Sequence, residues 1–503
     1  MKMNYRMAAL GAAFAVAFSA LGGPFAVEAR AESFSEETIT LRIANWEDYI
    51  DYGDWDEEET IELESGDIIG ERNMVDEFEE WYEETYGKKV KVEYSTFGTN
   101  EDLYNMLTLG DVYDLVCPSE YMFMKLMTEK ALVPLSDEFF DENEENNYYI
   151  RGLSQYIRDI FDSHEIDGEK WSSYAAGYMW GITGIVYNSD VVSPEEVSTW
   201  KFLNNPKYAR QITIKDNVRD TYFAAVGALK SDLLLSDEFR NAPDYPKRLE
   251  EEMNDVSPEM IAKVQDYLQE VKDNAYSFET DSGAADMITG NVLANYQWSG
   301  DSVYTMDRAD EDEFTLSFAV PEEVTNIYFD GWVMLKSGIG EDAEKQHAAE
   351  AFINYISRPD NVIRNMYYVG YTSVIAGGDD QRIFEFADYN FSAEDDEEDT
   401  VEYPLGWFFT GDNEDEDYII TAPSEQLHRQ MVSQYPSQED ISRSCIMLNF
   451  DKEESEALNR MWINVRCFNI RNVPVWVWVL TAAALAALIG LYIRRRIYIR
   501  SLE

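Results

Sequence analysis

The most continuous apolar stretch of the chain is Val473–Ile493, near the C-terminus, and it contains no charged residue. At about 1.5 Å per residue, a helix of this length spans about 31 Å, close to the hydrocarbon thickness of a bilayer. Arg494–Arg496 follow it directly, and basic residues mark the cytoplasmic end of such helices. The pattern predicts a transmembrane helix at 473–493, a cytoplasmic tail at 494–503, and a position outside the cytoplasm (extracellular or periplasmic) for most of the remaining chain.

A second apolar stretch, Met7–Leu21, lies at the N-terminus after Lys2 and Arg6. A basic start, an apolar run and a small-residue motif such as Ala29–Ala31 are typical of a secretory signal peptide. We therefore predict a signal peptide at 1–31, with an uncleaved N-terminal anchor as the alternative.

Between these ends, the hydrophobic period alternates between that of strands and that of helices. Strands are predicted at Thr38–Asn45, Lys89–Tyr94, Tyr113–Cys117, Gly184–Tyr187, Gln211–Lys215, Val292–Trp298 and Gly331–Leu335. Helices are predicted at Met74–Tyr86, Asn100–Leu109, Thr221–Leu229, Pro258–Asn274, Ala343–Ile356, Ser424–Gln434 and Lys452–Val465. This order predicts α/β units in tandem, with a largely parallel sheet, helices on both faces and a cleft between the units.

The composition indicates a folded chain with a strongly acidic surface and disfavours a nucleic-acid partner. About 440 residues between the apolar ends suffice for two or three domains. The net charge of −58 repels nucleic acid and anionic ligands and attracts cations. Because most acidic runs are solvated loops, and a salt-rich habitat also selects an acidic surface, the charge favours a cationic ligand only weakly.

The motifs of familiar enzymes are missing from the sequence. The three cysteines have no CxxC spacing, the three histidines form no HExxH motif, and no phosphate loop or GxSxG elbow occurs. These absences disfavour an enzyme. We accordingly expect no cofactor and no metal site. A Cys445–Cys467 disulfide and two free thiols both remain open.

Several short segments together carry a family resemblance. They are Asn45–Tyr49, Tyr94–Phe97, Tyr113–Ser119, Tyr121, Trp180-Gly181, Thr199-Trp200, Arg219-Asp220, Trp298–Gly300, Asp330 and Gly370–Thr372. In this order and spacing the chain resembles the spermidine/putrescine-binding proteins of bacterial ABC polyamine importers, over about residues 38–465.

The resemblance implies a two-lobed periplasmic-binding-protein fold with a ligand cleft between the lobes. One lobe would comprise 38–181 and 330–379, and the other 182–329 and 380–465. The chain would cross between lobes at Trp180-Gly181 and again just before Asp330.

The resemblance also implies the residues of the site. Trp46, Tyr49, Tyr121, Trp298, Tyr328 and Tyr371 would form aromatic walls, Asp330 and Asp220 would bind amines, and Ser119 would accept a hydrogen bond at the rim. These residue types suit a polyamine, because aromatic faces pack on methylenes and attract cations, while carboxylates accept from ammonium groups.

Each of these roles has a structural alternative. Trp46 and Trp298 are also typical core residues, Asp330 could cap a turn, and Asp220 could pair with Arg219 or cap a helix at Thr221. The chain departs from the family pattern at Asn217, at Tyr328, where a tryptophan is common, and near Met447, where a glutamine is expected. Fewer polar contacts at one end favour putrescine or spermidine over spermine.

The resemblance predicts a substrate-binding component of an ABC importer. It would be a monomeric module that captures a polyamine and delivers it to a permease with cytoplasmic ATPases, without binding nucleic acid. The alternative is a membrane-anchored surface sensor or binding protein for another organic cation. An adhesion protein and an extracellular hydrolase are less well supported, because neither requires this ordered spacing of aromatics and acids.

Overall fold

The computed structural model describes residues 38–467, except 57–58, 280–281 and 395–397, together with single positions between 477 and 490. The predicted signal peptide at 1–31 and the tail at 494–503 lie outside the described residues, as does most of the predicted helix at 473–493. No helix within the described residues is both long and apolar enough to cross a membrane. The described residues form two compact units, one made of those up to Asn254 together with Asn274–Asn449, the other of Asp255–Asp273 together with those from Phe450 onward.

The first unit is built on one large sheet. The strands of the described residues, numbered β1 to β18 in chain order, are Thr38–Trp46, Ile61–Leu63, Gly66–Ile68, Lys89–Phe97, Leu115–Val116, Leu132–Val133, Glu165–Ile166, Glu169–Lys170, Ala175–Tyr187, Ile212–Lys215, Ser277–Glu279, Ala294–Trp298, Ser317–Ala319, Thr325–Leu335, Thr372–Ser373, Thr400–Pro404, Ile419–Pro423 and Ser444–Cys445. The sheet runs in the order β11-β10-β12-β9-β14-β5-β1-β4, and β6, β13, β15 and β18 pair along β9 or β14.

The helices of the described residues, numbered α1 to α20, are Met74–Tyr86, Asn100–Leu109, Glu120–Thr128, Tyr148–Gly152, Gln155–Ser163, Pro194–Val197, Val218–Leu229, Ser231–Leu234, Asp237–Arg240, Tyr245–Met253, Pro258–Asn274, Gly283–Ile288, Ser299–Glu311, Ala343–Ile356, Pro359–Val369, Arg382–Phe391, Gly406–Phe409, Gln430–Gln434, Gln438–Ser442 and Lys452–Arg466. The core of the first unit lies around the sheet and includes Trp171, Trp180, Trp332 and Phe123, all fully buried.

The predicted parallel sheet is correct only at its two ends. Strands β4-β1-β5 and β11-β10-β12 are parallel, whereas β9 runs antiparallel to both β12 and β14. Every residue of β9 and of β14 is buried, so neither strand shows the alternation that reveals a strand with one solvent face. For that reason the sequence pattern indicated only the last residues of each.

The two predicted crossover points lie side by side in this antiparallel pair. Trp180 is paired with Phe329, and Gly181 with Tyr328. The register then shifts between Phe329 and Gly331, where Asp330 lies opposite two residues of β9, Tyr178 and Met179, as at a β-bulge of β9. The regular ladder is interrupted at this point, and Asp330 forms an isolated bridge with Ser119 instead.

Two helix predictions differ from the structure near the site. The predicted helix Ser424–Gln434 is broken at Arg429, whose buried side chain forms an ion pair with Asp310. The second difference is helix α15, which was not predicted and which starts at Pro359, just after the predicted helix Ala343–Ile356 ends. Proline is favoured in the first turn of a helix, since its missing N–H would have no intrahelical partner there.

The second unit pairs helices α11 and α20. Their buried faces carry Val264 and Leu268 on α11 and Leu458 and Met461 on α20. Lys272 of α11 donates to the backbone oxygen of Val465 at 2.6 Å, which places a cation at the negative C-terminal end of α20.

Candidate functional site

The centre of the candidate site is the carboxylate of Asp330. It accepts a hydrogen bond from the Tyr49 hydroxyl at 2.7 Å and another from the Ser119 hydroxyl at 2.7 Å. Ser119 reaches it because the two residues form an isolated bridge beside the bulge, while the Ser119 amide donates to Asn100. Burial raises the pKa of Asp330 to about 6, although the two hydroxyl donors stabilise the charged form and lower it.

Three tyrosine rings surround this carboxylate. Tyr49 meets Tyr371 edge to face with ring centres 5.2 Å apart, and Tyr371 lies 6.2 Å from Tyr328. Burial raises the pKa of all three hydroxyls well above the usual value, so the rings stay neutral. Tyr371 is aimed inward by Gly370, which ends α15 with a φ of 80° that favours glycine.

Asp301 is a site residue that the sequence analysis missed. It accepts a hydrogen bond from the Tyr371 hydroxyl at 2.9 Å and forms an ion pair with Lys215 at 3.1 Å. It is the third residue of α13 and directly follows the matched segment Trp298–Gly300. Its position directly after that segment was the available signal.

Gly300 brings α13 against Tyr371. A Cβ atom at Gly300 would lie 1.9 Å from the Tyr371 ring, closer than any van der Waals contact allows. The absence of a side chain at this position is therefore what permits the ring to lie between Asp301 and Tyr49.

A second carboxylate, Asp220, lies in the first turn of α7. It accepts a hydrogen bond from the Trp298 indole nitrogen at 3.2 Å, and burial raises its pKa to about 6 despite that bond and the charges of Lys215 and Arg219. The cap of α7 is Asn217, which accepts from the amides of Arg219 and Asp220. The departure at Asn217 thus has a structural role, and the Asp220 side chain is not the cap.

Tyr121 lies beside the same helix. Its hydroxyl accepts from Asn100 at 3.0 Å, and the Arg219 guanidinium lies 4.7 Å from its ring centre. Arg219 also donates to the backbone oxygen of Leu448 at 2.5 Å. A cation of the chain therefore already lies near this ring, and the role of Tyr121 as a ligand wall stays a prediction.

Trp46 ends β1 and is half-buried, and its ring packs on Phe97 with 4.9 Å between centres. Its indole nitrogen is buried and has no hydrogen-bond partner among the described residues. Asn45, one residue earlier, donates to the backbone oxygen of Tyr49 at 3.3 Å and so holds the turn that presents Tyr49.

A further buried acid lies next to Ser119. Glu120 accepts from the Phe329 amide at 3.1 Å, and burial raises its pKa to about 8. At neutral pH it is therefore mostly protonated and adds little negative charge to the site. No motif in the sequence distinguishes it from the other acids.

One cavity of the first unit lies away from these residues. It measures about 1090 Å³ and is bordered by Arg240, Phe318, Leu427 and Arg443, and none of the nine predicted site residues lines it. No cluster of metal-binding side chains occurs within the part of the chain that the structure describes. The three cysteines are free in this structure, and Cys117 and Cys445 are buried.

The comparisons with known proteins point to exported binding proteins. Residues 73–382 match the family model described as bacterial extracellular solute-binding protein. The spermidine/putrescine-binding periplasmic protein of Salmonella typhimurium is 25% identical over 284 residues, 56% of this chain and 70% of the relative. The putrescine-binding periplasmic protein PotF of Escherichia coli is 24% identical over 354 residues, 68% and 79% of the two chains.

Solved structures agree on the fold. The Streptococcus pneumoniae substrate-binding protein PotD, in complex with calcium and HEPES, has a TM-score of 0.54 at 22% identity, covering 85% of this chain and 98% of its own. A putative spermidine/putrescine ABC transporter protein from Listeria monocytogenes has a TM-score of 0.56 at 20% identity, covering 86% and 99%. These likenesses confirm the predicted two-lobed α/β fold, whereas the lobe boundaries stay a prediction.

Proposed function

Because the chain belongs to the family of bacterial extracellular solute-binding proteins, we propose that it captures a polyamine, putrescine or spermidine, for an ABC importer. The family is one of binding proteins, which confirms the prediction that the chain is not an enzyme. The names of the relatives from Salmonella typhimurium and Escherichia coli agree with a polyamine ligand.

The observation that carries the proposal is the setting of Asp330. Its carboxylate is 5% exposed, and no lysine or arginine among the described residues forms an ion pair with it. A buried carboxylate that lacks a cationic partner is costly, and an organic ammonium is the partner that tyrosine rings can also accommodate. The proposal therefore places one ammonium of the ligand at Asp330.

A second anionic group lies along the same row of tyrosines. Tyr49 donates to Asp330, its ring meets Tyr371, and Tyr371 donates to Asp301. Two carboxylates joined by aromatic faces suit a chain of methylenes with an amine at each end, since the rings pack on CH₂ groups. This row supports a linear diamine or triamine over a compact cation.

The calorimetric titration of the full-length protein in mild detergent tests this proposal. Putrescine and spermidine should bind at micromolar concentration or below, whereas a neutral chain such as 1,4-butanediol should not bind. The Asp330→Asn variant is the matched control, because it keeps the shape of the side chain and removes its charge. Absence of binding by every polyamine tested would contradict the proposal.

Delivery to a permease distinguishes an importer component from a surface sensor. A ligand that contacts both lobes favours the closed form, and we propose that this form docks on the permease. Cells that carry the protein with its permease should take up labelled polyamine, and removal of either should abolish uptake. Binding that persists without any contribution to uptake would favour the sensor.

We further propose that segment 473–493 anchors the module to the membrane. Trp478, Leu480 and Ile489 are helical positions, and each side chain is more than half exposed, at 53%, 59% and 56%. Exposed apolar side chains on a helix suit a lipid environment. The full-length chain should sediment with membranes, and a chain ending at residue 467 should stay in the soluble fraction.

A further inference from the structure

Lys215 places an ammonium group of the chain itself on an aromatic wall of the site. Its Nζ atom lies 3.8 Å from the centre of a Trp298 ring and 3.1 Å from a carboxylate oxygen of Asp301. The side chain is fully buried. This is the environment that a polyamine amine requires: an aromatic face on one side and a carboxylate on the other.

The backbone holds this lysine in place. It is the last residue of β10, and its carbonyl oxygen accepts a hydrogen bond from the Thr221 hydroxyl at 2.7 Å. Residue 215 is thereby tied to the first turn of α7, the helix that also carries Asp220. Because the backbone of Lys215 is held in this way, its side-chain ammonium group has a defined position in the site.

The carboxylates of the site are not equally available to a ligand. Asp301 already pairs with Lys215, and Asp220 lies in the field of Lys215 and Arg219. Glu101 is likewise within the field of Arg219. Of the three aspartates, Asp301 forms an ion pair with Lys215, Asp220 lies in the field of two cations, and the pKa of Asp330 is shifted by no cation of the described residues.

We propose that Lys215 is a built-in ammonium that fills the Trp298 end of the site and makes it select diamines over longer, more highly charged polyamines. The inference rests on the proposed function and specifies the number of ammonium groups, two, that the preferred ligand carries. One ligand ammonium pairs with Asp330, and a second shares the partly neutralised Asp301. A third ammonium at that end would meet the charge of Lys215 at short range, beside a carboxylate, Asp301, that Lys215 already pairs.

The obvious alternative is that Lys215 is only a structural ion pair. A comparable pair exists away from the site, because Lys230 is 10% exposed and bonds Glu252 at 2.7 Å. Lys230 has no role in the proposed ligand site, so Lys230→Met controls for the loss of a buried lysine.

The test compares the affinities for 1,4-diaminobutane and spermidine in full-length wild type, Lys215→Met, Lys215→Arg and Lys230→Met, by calorimetry at pH 7.5. Wild type should bind the diamine at least as tightly as the triamine. Lys215→Met should raise the ratio of spermidine to diaminobutane affinity by about tenfold or more, since it frees the indole face and Asp301. Lys215→Arg, which keeps the charge, and Lys230→Met should retain the wild-type ratio.

The outcomes separate this inference from the proposed function. Absence of binding of both ligands to wild type contradicts the polyamine function itself. Binding with an unchanged or lowered ratio in Lys215→Met overturns the role of Lys215 and leaves the function standing. Should Lys215→Met fail to fold, the wild-type preference decides, and spermidine binding about tenfold tighter than diaminobutane overturns the inference.

Discussion

The hydroxyl of Tyr49 donates a 2.7 Å hydrogen bond to the carboxylate of Asp330, across 281 residues of sequence. This bond stabilises the charged form of a buried acid and lowers its pKa, which burial has raised to about 6. The availability of negative charge for an ammonium near neutral pH therefore depends on a tyrosine from another part of the chain.

Tyr49→Phe should raise the pKa of Asp330 above its present value of about 6, because the charged form loses a donor. Polyamine affinity at pH 7 should fall, and the pH at which half of the affinity is lost should move upward. Calorimetric titrations between pH 5 and 8 measure both effects. Tyr403→Phe removes the hydroxyl of another buried tyrosine, whose bond to the Tyr435 carbonyl lies away from the site, and should leave the profile unchanged.

Asp330→Asn should separate binding from stability. Loss of the charge should weaken polyamine binding by about 1–3 kcal/mol, the usual range for a charge-assisted contact. The free protein should be as stable as wild type or more stable at pH 7, because an uncompensated buried charge is removed. Thermal unfolding without and with ligand measures both, and unchanged affinity in a folded variant would show that the ligand does not contact Asp330.

The pH dependence of the wild type should have opposite signs for binding and for stability. Asp330 has a pKa of about 6 when folded against an ordinary value of 3.8, so the folded state holds the extra proton between these values. Its contribution to stability is therefore gained as pH falls from about 7 to 4, whereas ammonium binding is lost through about pH 6, by up to about tenfold per unit for one carboxylate. Comparison with Asp330→Asn isolates this residue from the acidic surface, and equal profiles in the two proteins would rule out its titration.

Gly300→Ala should weaken binding by displacing Tyr371, because the new Cβ would lie 1.9 Å from the ring. We expect about a tenfold loss of affinity or more, which corresponds to about 1.4 kcal/mol, with the fold retained since Tyr371 follows a helix end and can move. Gly98→Ala is the control, because its nearest neighbour would be 3.8 Å away. Equal affinities of the two variants would mean that Tyr371 is not a wall of the site.

Arg364→Met should destabilise the first unit without changing its ligand site. Arg364 is 6% exposed and bonds Asp51 at 2.7 Å and Glu77 at 2.6 Å, so its loss leaves Asp51 buried without its cation. Breaking a buried pair in this way costs about 3–5 kcal/mol. Denaturant unfolding measures the loss. Arg72→Met removes an exposed pair with Glu80 and should leave the unfolding transition nearly unchanged, because water and salt screen such a pair.

Several elements follow from local sequence because their signals are local. Helices Met74–Tyr86, Asn100–Leu109, Pro258–Asn274 and Ala343–Ile356 have the predicted bounds. Their apolar period and terminal residues lie within the segment itself. The start of α7 was placed too late, at Thr221 instead of Val218, because Asn217 was not recognised as its cap.

Some residues of the candidate site were also indicated by the sequence, and others were found only in the structure. The sequence indicated the aromatic and acidic residue types, and the structure brings Tyr49, Ser119, Tyr328, Asp330 and Tyr371 together. The sequence did not indicate Asp301 or Lys215, because their roles arise from a contact between these two residues, which are 86 positions apart. Tyr121 and Trp298 were identified as ammonium walls, but cations of the chain lie over both rings.

By itself, the sequence determined the α/β character of the chain, the order of most helices and the resemblance to polyamine-binding proteins, since periodicity, caps and ordered short motifs are properties of the chain in one dimension. Only the tertiary structure decided that β9 and β14 run antiparallel through the centre of the sheet and that Asp330 lies where their register shifts. It also decided which carboxylates already have a cation. Strand direction, a register shift and the partner of a buried charge all depend on residues distant in sequence, and local pattern carries no information about them.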